Sequence, residues 1–213
     1  FWGEHYQRLI THAQIFGIDC GYSVKELMDL AHSLLNHNKV DGAELYALNT
    51  FIVQGEKKSD LIFNLKPTPQ APKELHLIIC ETTRRNEHSP LSRIKSLNYG
   101  DNLLALKEAE QKGAGDAVLL NTAGDAACTT FGNLYADIGG QLYTPPLKDG
   151  AMDGVFRSKA VEKYGVQERT LSRNDLEKHA EGIYIANSVR GFYPAFTINK
   201  KTLPKTNQCI KLF

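Results

Sequence analysis

The sequence predicts an α+β fold in two lobes. Segments with strand-like and helix-like patterning follow one another without a regular βαβ order and without an internal repeat, which excludes a doubly wound sheet or a solenoid. A chain of 213 residues with 42% apolar residues is long enough to bury a sizeable core in one or two small domains. The polar stretch Arg84 to Pro90 breaks the pattern in between. The expected lobes are therefore a smaller one over 1–86 and a larger one over 87–213.

Taken in order, Leu9, Ile10, Ala13 and Phe16 fall at helical spacing, and Gly17 supplies a stop. Ser23 with Glu26 forms a capping box that opens a second helix, with Leu27, Leu30, Ala31 and Leu34 on one face. Ala43 to Val53 reads as a strand, Gly55 to Asp60 as a loop, and Leu75 to Thr82 as a strong strand. Beyond the polar stretch a helix runs from Asp101 to Lys112 and ends at Gly113. Short strands follow at Ala117–Asn121, Asp125–Thr129, Asn133–Ala136 and Gln141–Tyr143. A helix over Val155–Tyr164 stops at Gly165, Ser172 caps another short helix, and Gly182–Ala186 and Ala195–Ile198 return to strand.

The formal net charge is +1, which argues against a nucleic-acid partner or an acidic membrane surface. No apolar run reaches the ~20 residues a bilayer span needs, and Phe1-Trp2-Gly3-Glu4-His5 lacks the order of a signal peptide, so a cytoplasmic location is expected. Cys20, Cys80, Cys128 and Cys209 are widely spaced without a Cys-x-x-Cys pair. Free thiols and no metal site are expected.

Chemistry concentrates in two stretches. Lys95 lies in Ser92-Arg93-Ile94-Lys95-Ser96-Leu97-Asn98-Tyr99-Gly100, and about thirty residues on comes Gly124-Asp125-Ala126-Ala127-Cys128-Thr129-Thr130-Phe131-Gly132-Asn133-Leu134-Tyr135. One lysine in a polar stretch is ordinarily a solvated surface group. A lysine that attacks a carbonyl near neutral pH must be desolvated enough to lose its proton, and Ile94 and Leu97 offer apolar bulk beside it.

In order and spacing, Ile-Lys-Ser-Leu-Asn, then Gly113-x-x-Asp116-Ala117-x-Leu119-Leu120-Asn121, then Asn133-Leu134-Tyr135 resemble the fold-type IV pyridoxal-phosphate enzymes. This is the class IV aminotransferase family, which includes D-amino-acid and branched-chain aminotransferases and 4-amino-4-deoxychorismate lyase. The resemblance covers nearly the whole chain. It implies a small N-terminal α/β lobe, a larger C-terminal lobe with a mixed sheet or barrel, pyridoxal 5'-phosphate as cofactor, an amino-acid or aminodeoxychorismate substrate and a homodimer. Lys95 takes the role of the lysine that forms the internal aldimine.

The same resemblance assigns the other site residues. Asp153-Gly154-Val155-Phe156-Arg157 is similar to the family's Gly-Ile/Val-x-Arg turn, so the amides of Val155 and Phe156 would grip the cofactor phosphate, as helix N-termini do. His5-Tyr6-Gln7-Arg8-Leu9 resembles the family's His-x-x-Arg-Leu helix and makes Arg8 the phosphate cation. Asn187-Ser188-Val189-Arg190-Gly191 falls where the family has a turn whose hydroxyl, here Ser188, meets the phosphate. The turn's amides, at Val189 and Arg190, would meet the substrate carboxylate. The Arg190 side chain is either a carboxylate partner or solvated.

One position departs from the pattern. Where the family has a glutamate holding the pyridine nitrogen, this chain has Cys128. A carboxylate there keeps the nitrogen protonated and the ring a deep electron sink, whereas a neutral thiol donates weakly and stabilises no pyridinium. Asp125, three residues upstream on a strand, faces the other way unless a bulge intervenes. A shallower sink hurts transamination more than an elimination driven by aromatisation of its product. The expected function is thus 4-amino-4-deoxychorismate lyase-like release of pyruvate and 4-aminobenzoate. A class IV aminotransferase and a degenerate cofactor-binding protein are the alternatives. The family's roughly forty residues ahead of the His-x-x-Arg-Leu helix, the first strands of the small lobe, are not part of this sequence.

Overall fold

A computed structural model describes residues 1–40, 46–56, 59–68 and 72–204. The chain divides into two compact units, Phe1–Gln70 and Ala71–Phe213. In the first, helix α1 spans Trp2–Ile15 and α2 spans Val24–His37. The Ser23 hydroxyl accepts from the Glu26 amide at 3.2 Å and the Glu26 carboxylate accepts from the Ser23 amide at 2.7 Å, so the expected capping box is formed. Ala13, Leu27 and Ala31 are buried, while Phe16 and Leu30, placed on apolar faces from their spacing, are exposed. Strands β1 (Tyr46–Val53) and β2 (Asp60–Pro67) pair antiparallel from Tyr46↔Pro67 to Val53↔Asp60. The first residues of the strand expected from Ala43 lie outside the described residues, as does Cys209.

The second unit begins before the boundary expected at 86, because strand β3 (His76–Ile79) belongs to it. β3 lies parallel to β4 (Asp116–Leu120), some forty residues later in the chain. Between them, helix α3 (Gly100–Gln111) makes the crossover that a parallel pair requires. The chain continues through β5 (Asp125–Thr129), β6 (Asn133–Ile138), β7 (Gln141–Thr144), helix α4 (Val155–Lys163), β8 (Gln167–Glu168) and β9 (Leu171–Ser172). It ends with β10 (Gly182–Asn187), β11 (Gly191–Pro194), β12 (Thr197–Ile198) and β13 (Lys201–Thr202). The N-cap of the single helical turn Asp175–His179 is Asn174 and not the expected Ser172, whose hydroxyl accepts from the Asp175 amide at 3.0 Å just ahead of it.

Two sheets result, with strand orders β13-β12-β3-β4-β5-β9 and β11-β10-β6-β7-β8. Their inner faces share one core, in which Leu77, Ile79, Val118 and Leu120 from the first sheet meet Leu134, Ala136, Ile183 and Ile185 from the second. Each sheet carries one helix on its other face. Ala105 and Ala109 of α3 pack on Ala117, Leu119 and Cys128, and Phe156 and Ala160 of α4 pack on Tyr135 and Tyr184. The small alanines let α3 lie close over β4 and β5.

A bulge interrupts the β4–β5 ladder. Leu119 pairs with Cys128 but Leu120 pairs with Ala126, leaving Ala127 without an opposite residue. The extra residue reverses the alternation, so Ala126 turns into the inter-sheet core while Ala127 and Cys128 both pack on the α3 side. The bulge named above as the exception for Asp125 is therefore present.

Candidate active site

The segment between β3 and α3 carries the lysine, and it is held down at several points. The Arg85 amide donates to the Leu120 carbonyl at 2.8 Å, extending the sheet by one parallel bridge to Asn121. The Glu87 carboxylate accepts from the Thr122 amide at 3.0 Å and the Thr122 hydroxyl at 2.7 Å. Those two bonds pull its pKa down to about 2, the amide contributing most. The Ser92 hydroxyl donates to the Asn86 carbonyl at 2.6 Å and Ile94 is buried. Lys95 itself is exposed, with Nζ 5.2 Å from the centre of the Tyr99 ring. Leu97 supplies none of the expected apolar cover, being 63% exposed.

Lys95, Ile94, Tyr99, Asn102, Arg85, Cys128, Thr130 and Met152 line one cleft of about 40 Å3. That is space for about three waters, so the cleft is a floor on which a ring could rest rather than an enclosure. One wall is fixed by a buried network. Asp116 Oδ1 accepts from the Thr130 amide at 3.0 Å and the Thr130 hydroxyl at 2.5 Å. The Thr130 carbonyl in turn accepts from the Tyr99 hydroxyl at 2.6 Å and from Asn102 Nδ2 at 2.9 Å. Burial raises the Asp116 pKa and pushes that of Tyr99 up to about 12, so the phenol stays a donor.

Cys128 is 5% exposed, and burial raises its thiol pKa, with Arg85 opposing and Asp116 reinforcing the shift. It is a neutral group at physiological pH. Asp125 is not among the cleft-lining residues, and the charges that act on it are Asp149, Asp175 and Glu87. The bulge thus leaves the conclusion about Asp125 standing although the facing argument behind it does not hold.

The turn into α4 follows Met152, which lines the cleft. Gly154 is the N-cap, no side chain among the described residues caps the helix, and Val155 and Phe156 are buried. The first amides of a helix have no intrahelical acceptor. A Cβ on residue 154 would run into Asn133 Oδ1, and Asn133 Nδ2 holds the Met152 carbonyl at 2.9 Å. Arg157, the last residue of this motif, is buried and turns away to the Pro145 carbonyl and the Glu168 carboxylate.

The Asn187–Arg190 turn lies next to the cleft-lining loop, Asn187 Nδ2 donating to the Phe131 carbonyl at 3.4 Å. Ser188 and Val189 are exposed. The amides of Val189 and Arg190 both donate to Asn187 Oδ1, at 3.0 and 2.9 Å, so the acceptor expected from a substrate is supplied by the chain's own side chain. The Arg190 side chain hydrogen-bonds Tyr193. Arg8 belongs to the first unit, where its guanidinium approaches His5 Nδ1 at 3.4 Å. Of the residues singled out from sequence, the second unit brings Lys95 and Cys128 into one cleft, and Arg85 joins them there without having been expected.

The sequence pattern of the amino-transferase class IV family matches residues 1–198. The chain belongs to that family, whose members are pyridoxal-phosphate-dependent aminotransferases and lyases. It is 25% identical over 216 residues to the D-alanine aminotransferase of Staphylococcus aureus (strain N315), the match covering 92% of this chain and 73% of that one. A putative 4-amino-4-deoxychorismate lyase from Legionella pneumophila superposes with a TM-score of 0.84 at 24% identity, over 99% of this chain and 81% of that one. An aminotransferase from Brucella abortus, solved with the cofactor PLP bound, superposes with a TM-score of 0.82 at 20% identity, over 95% and 77%. This chain is a pyridoxal-phosphate-dependent enzyme of the aminotransferase or lyase kind.

Proposed function

We propose that the enzyme acts as a 4-amino-4-deoxychorismate lyase, and the observation that carries this reading is a buried neutral thiol where the family has a carboxylate. Bound pyridoxal phosphate supplies an electron sink for the substrate α-carbon. Cys128 offers that ring no negative charge, which disfavours transamination more than an elimination that ends in an aromatic product. The residues around it fit the cofactor. Lys95 at the cleft mouth would bond to it, and the Val155 and Phe156 amides with Ser188 would hold its phosphate, beside a Gly154 against which Asn133 packs. Val189 and Arg190 would receive the substrate carboxylate. Arg8 is assigned to the phosphate by its motif alone. A homodimer fits the family and is tested by sedimentation.

A second reading, a D-amino-acid or branched-chain aminotransferase, is favoured by the match to D-alanine aminotransferase. Mixing the holoenzyme with aminodeoxychorismate and following pyruvate and 4-aminobenzoate, alongside D-alanine with 2-oxoglutarate, separates the two. Product from the second pair alone refutes the lyase. Neither product, and no transamination of L-leucine with 2-oxoglutarate, with cofactor bound, makes the chain a degenerate member. Borohydride should trap the cofactor on Lys95, and Lys95→Ala should abolish the adduct. Arg8→Ala removes a charge-assisted contact of roughly 1.5–3 kcal/mol and should weaken cofactor binding by roughly tenfold to a hundredfold.

A further inference from the structure

Arg85 faces the same cleft as Cys128, and its contacts are unusual for a half-buried cation. Its guanidinium donates to the Ser92 carbonyl at 2.7 Å, the Gly150 carbonyl at 3.4 Å and Asn102 Oδ1 at 3.4 Å, all neutral acceptors. No carboxylate among the described residues pairs with it within ion-pair distance. The position is not loose: the backbone is bridged to the end of β4, and the side chain is threaded between three separate segments. A fixed positive charge and a thiol therefore stand where a protonated ring nitrogen would need an acceptor or a negative charge, and the Asp116 carboxyl that also acts on the thiol is tied to Thr130 through Oδ1 and pushed by burial toward its neutral form.

Donor and acceptor capacities decide which form of the ring suits this place. A pyridinium N–H is a donor carrying positive charge. It would meet a guanidinium, which has no lone pair to offer, and a thiol, which accepts weakly. An unprotonated pyridine nitrogen is an acceptor, and both the Cys128 S–H and the guanidinium N–H groups are donors. Like charge close by disfavours protonation in the same direction.

We propose that Arg85 sets the ring-nitrogen end of the site, its cation beside the Cys128 thiol holding a bound pyridine nitrogen in the unprotonated form. This rests on the reading that Lys95 carries pyridoxal phosphate with its ring nitrogen toward Cys128. Arg85 is then a positioning residue that acts through the field it exerts. The consequence is a shallower sink by construction, so the replacement of the family's carboxylate is accompanied by a charge of opposite sign.

The test loads the full chain with pyridoxal phosphate labelled with 15N in the ring, reduces the imine on the protein, and follows the ring 15N shift from pH 6 to 9. The wild-type signal should stay at the position of an unprotonated pyridine throughout. Arg85→Gln should raise the protonation equilibrium tenfold or more, so that a pyridinium fraction appears at the acid end of the window, and Arg85→Lys should return the flat wild-type profile. A pyridinium signal in the wild type at pH 7, with the adduct mapped to Lys95, overturns the inference without touching the cofactor assignment. So does a midpoint equal in wild type and Arg85→Gln. If Arg85→Gln does not fold, Arg85→Met, which keeps an unbranched side chain without the charge, carries the same comparison. An adduct mapping to another lysine, or none, overturns the cofactor reading and the inference with it.

Discussion

The two ends of the site are built on different terms. At the α4 turn the backbone sets the geometry: Gly154 caps the helix with the Asn133 side chain packed against it, and Asn133 Nδ2 holds the Met152 carbonyl. At the Cys128 end the side chains decide, and there a thiol and a guanidinium stand in place of a carboxylate. In the proposed reading binding and chemical tuning are separable, and the departure from the family lies in the second.

The sharpest way to break that contrast is Cys128→Glu. The structure supplies the new carboxylate with a neighbouring cation, Arg85, whose hydrogen-bond partners among the described residues are neutral. The variant should deepen the sink and raise α-proton exchange of bound amino acids by about ten- to a thousandfold, at ~1.36 kcal/mol per decade. Deuterium incorporation at matched cofactor occupancy measures it. Equal rates would mean that the chemistry is limited elsewhere, and a collapse in melting temperature would mean that the charge stayed unpaired.

At the other end, Gly154→Ala forces a Cβ toward Asn133 Oδ1. Overpacking of this kind costs about 1–3 kcal/mol of stability, so the melting temperature should fall, and cofactor affinity should fall with it if the turn holds the phosphate, while the α-proton exchange rate of the loaded fraction stays near wild type. A fluorescence titration that finds unchanged affinity removes the turn from the binding machinery.

The smallest effect concerns the clamp behind the chemical end. The Glu87 pKa lies near 2, below the ordinary 4.5 of a glutamate. Its contribution to stability is therefore fully present above pH 4.5 and is lost as the pH falls toward 2. The melting temperature of the wild type should drop over that window more steeply than that of Glu87→Gln. Parallel curves would show that the Thr122 contact does not anchor the segment carrying Arg85 and Lys95.

Local signals made much of this molecule legible. The Ser23–Glu26 box, the helix ended by Gly113, the strand through Cys128 and the glycine turn before Val155 are encoded within a few residues, and each forms. What depended on distant pairing was not legible. Leu75–Thr82 reads as a strand whichever unit holds it, and only its alignment with Asp116–Val118 moves the division ahead of it. Asp60–Pro67 hides its identity behind a polar approach and a terminal proline, and becomes a strand by pairing with β1. Arg85 sits in a stretch whose polarity suggests a linker. Nothing local marks it, because its meaning comes from Cys128, more than forty residues away.

The Asn187 turn has a consequence for substrate recognition. Its side-chain carbonyl already occupies the two amides assigned to a substrate carboxylate, so an arriving ligand evicts an internal competitor instead of filling a vacancy. The exchange trades one pair of hydrogen bonds for another, and only the excess strength of a charged acceptor over a neutral one is gained. If the proposed assignment holds, a turn wired in this way discriminates by charge: carboxylates would displace the asparagine, whereas amides and esters of the same shape would meet an equal already in place.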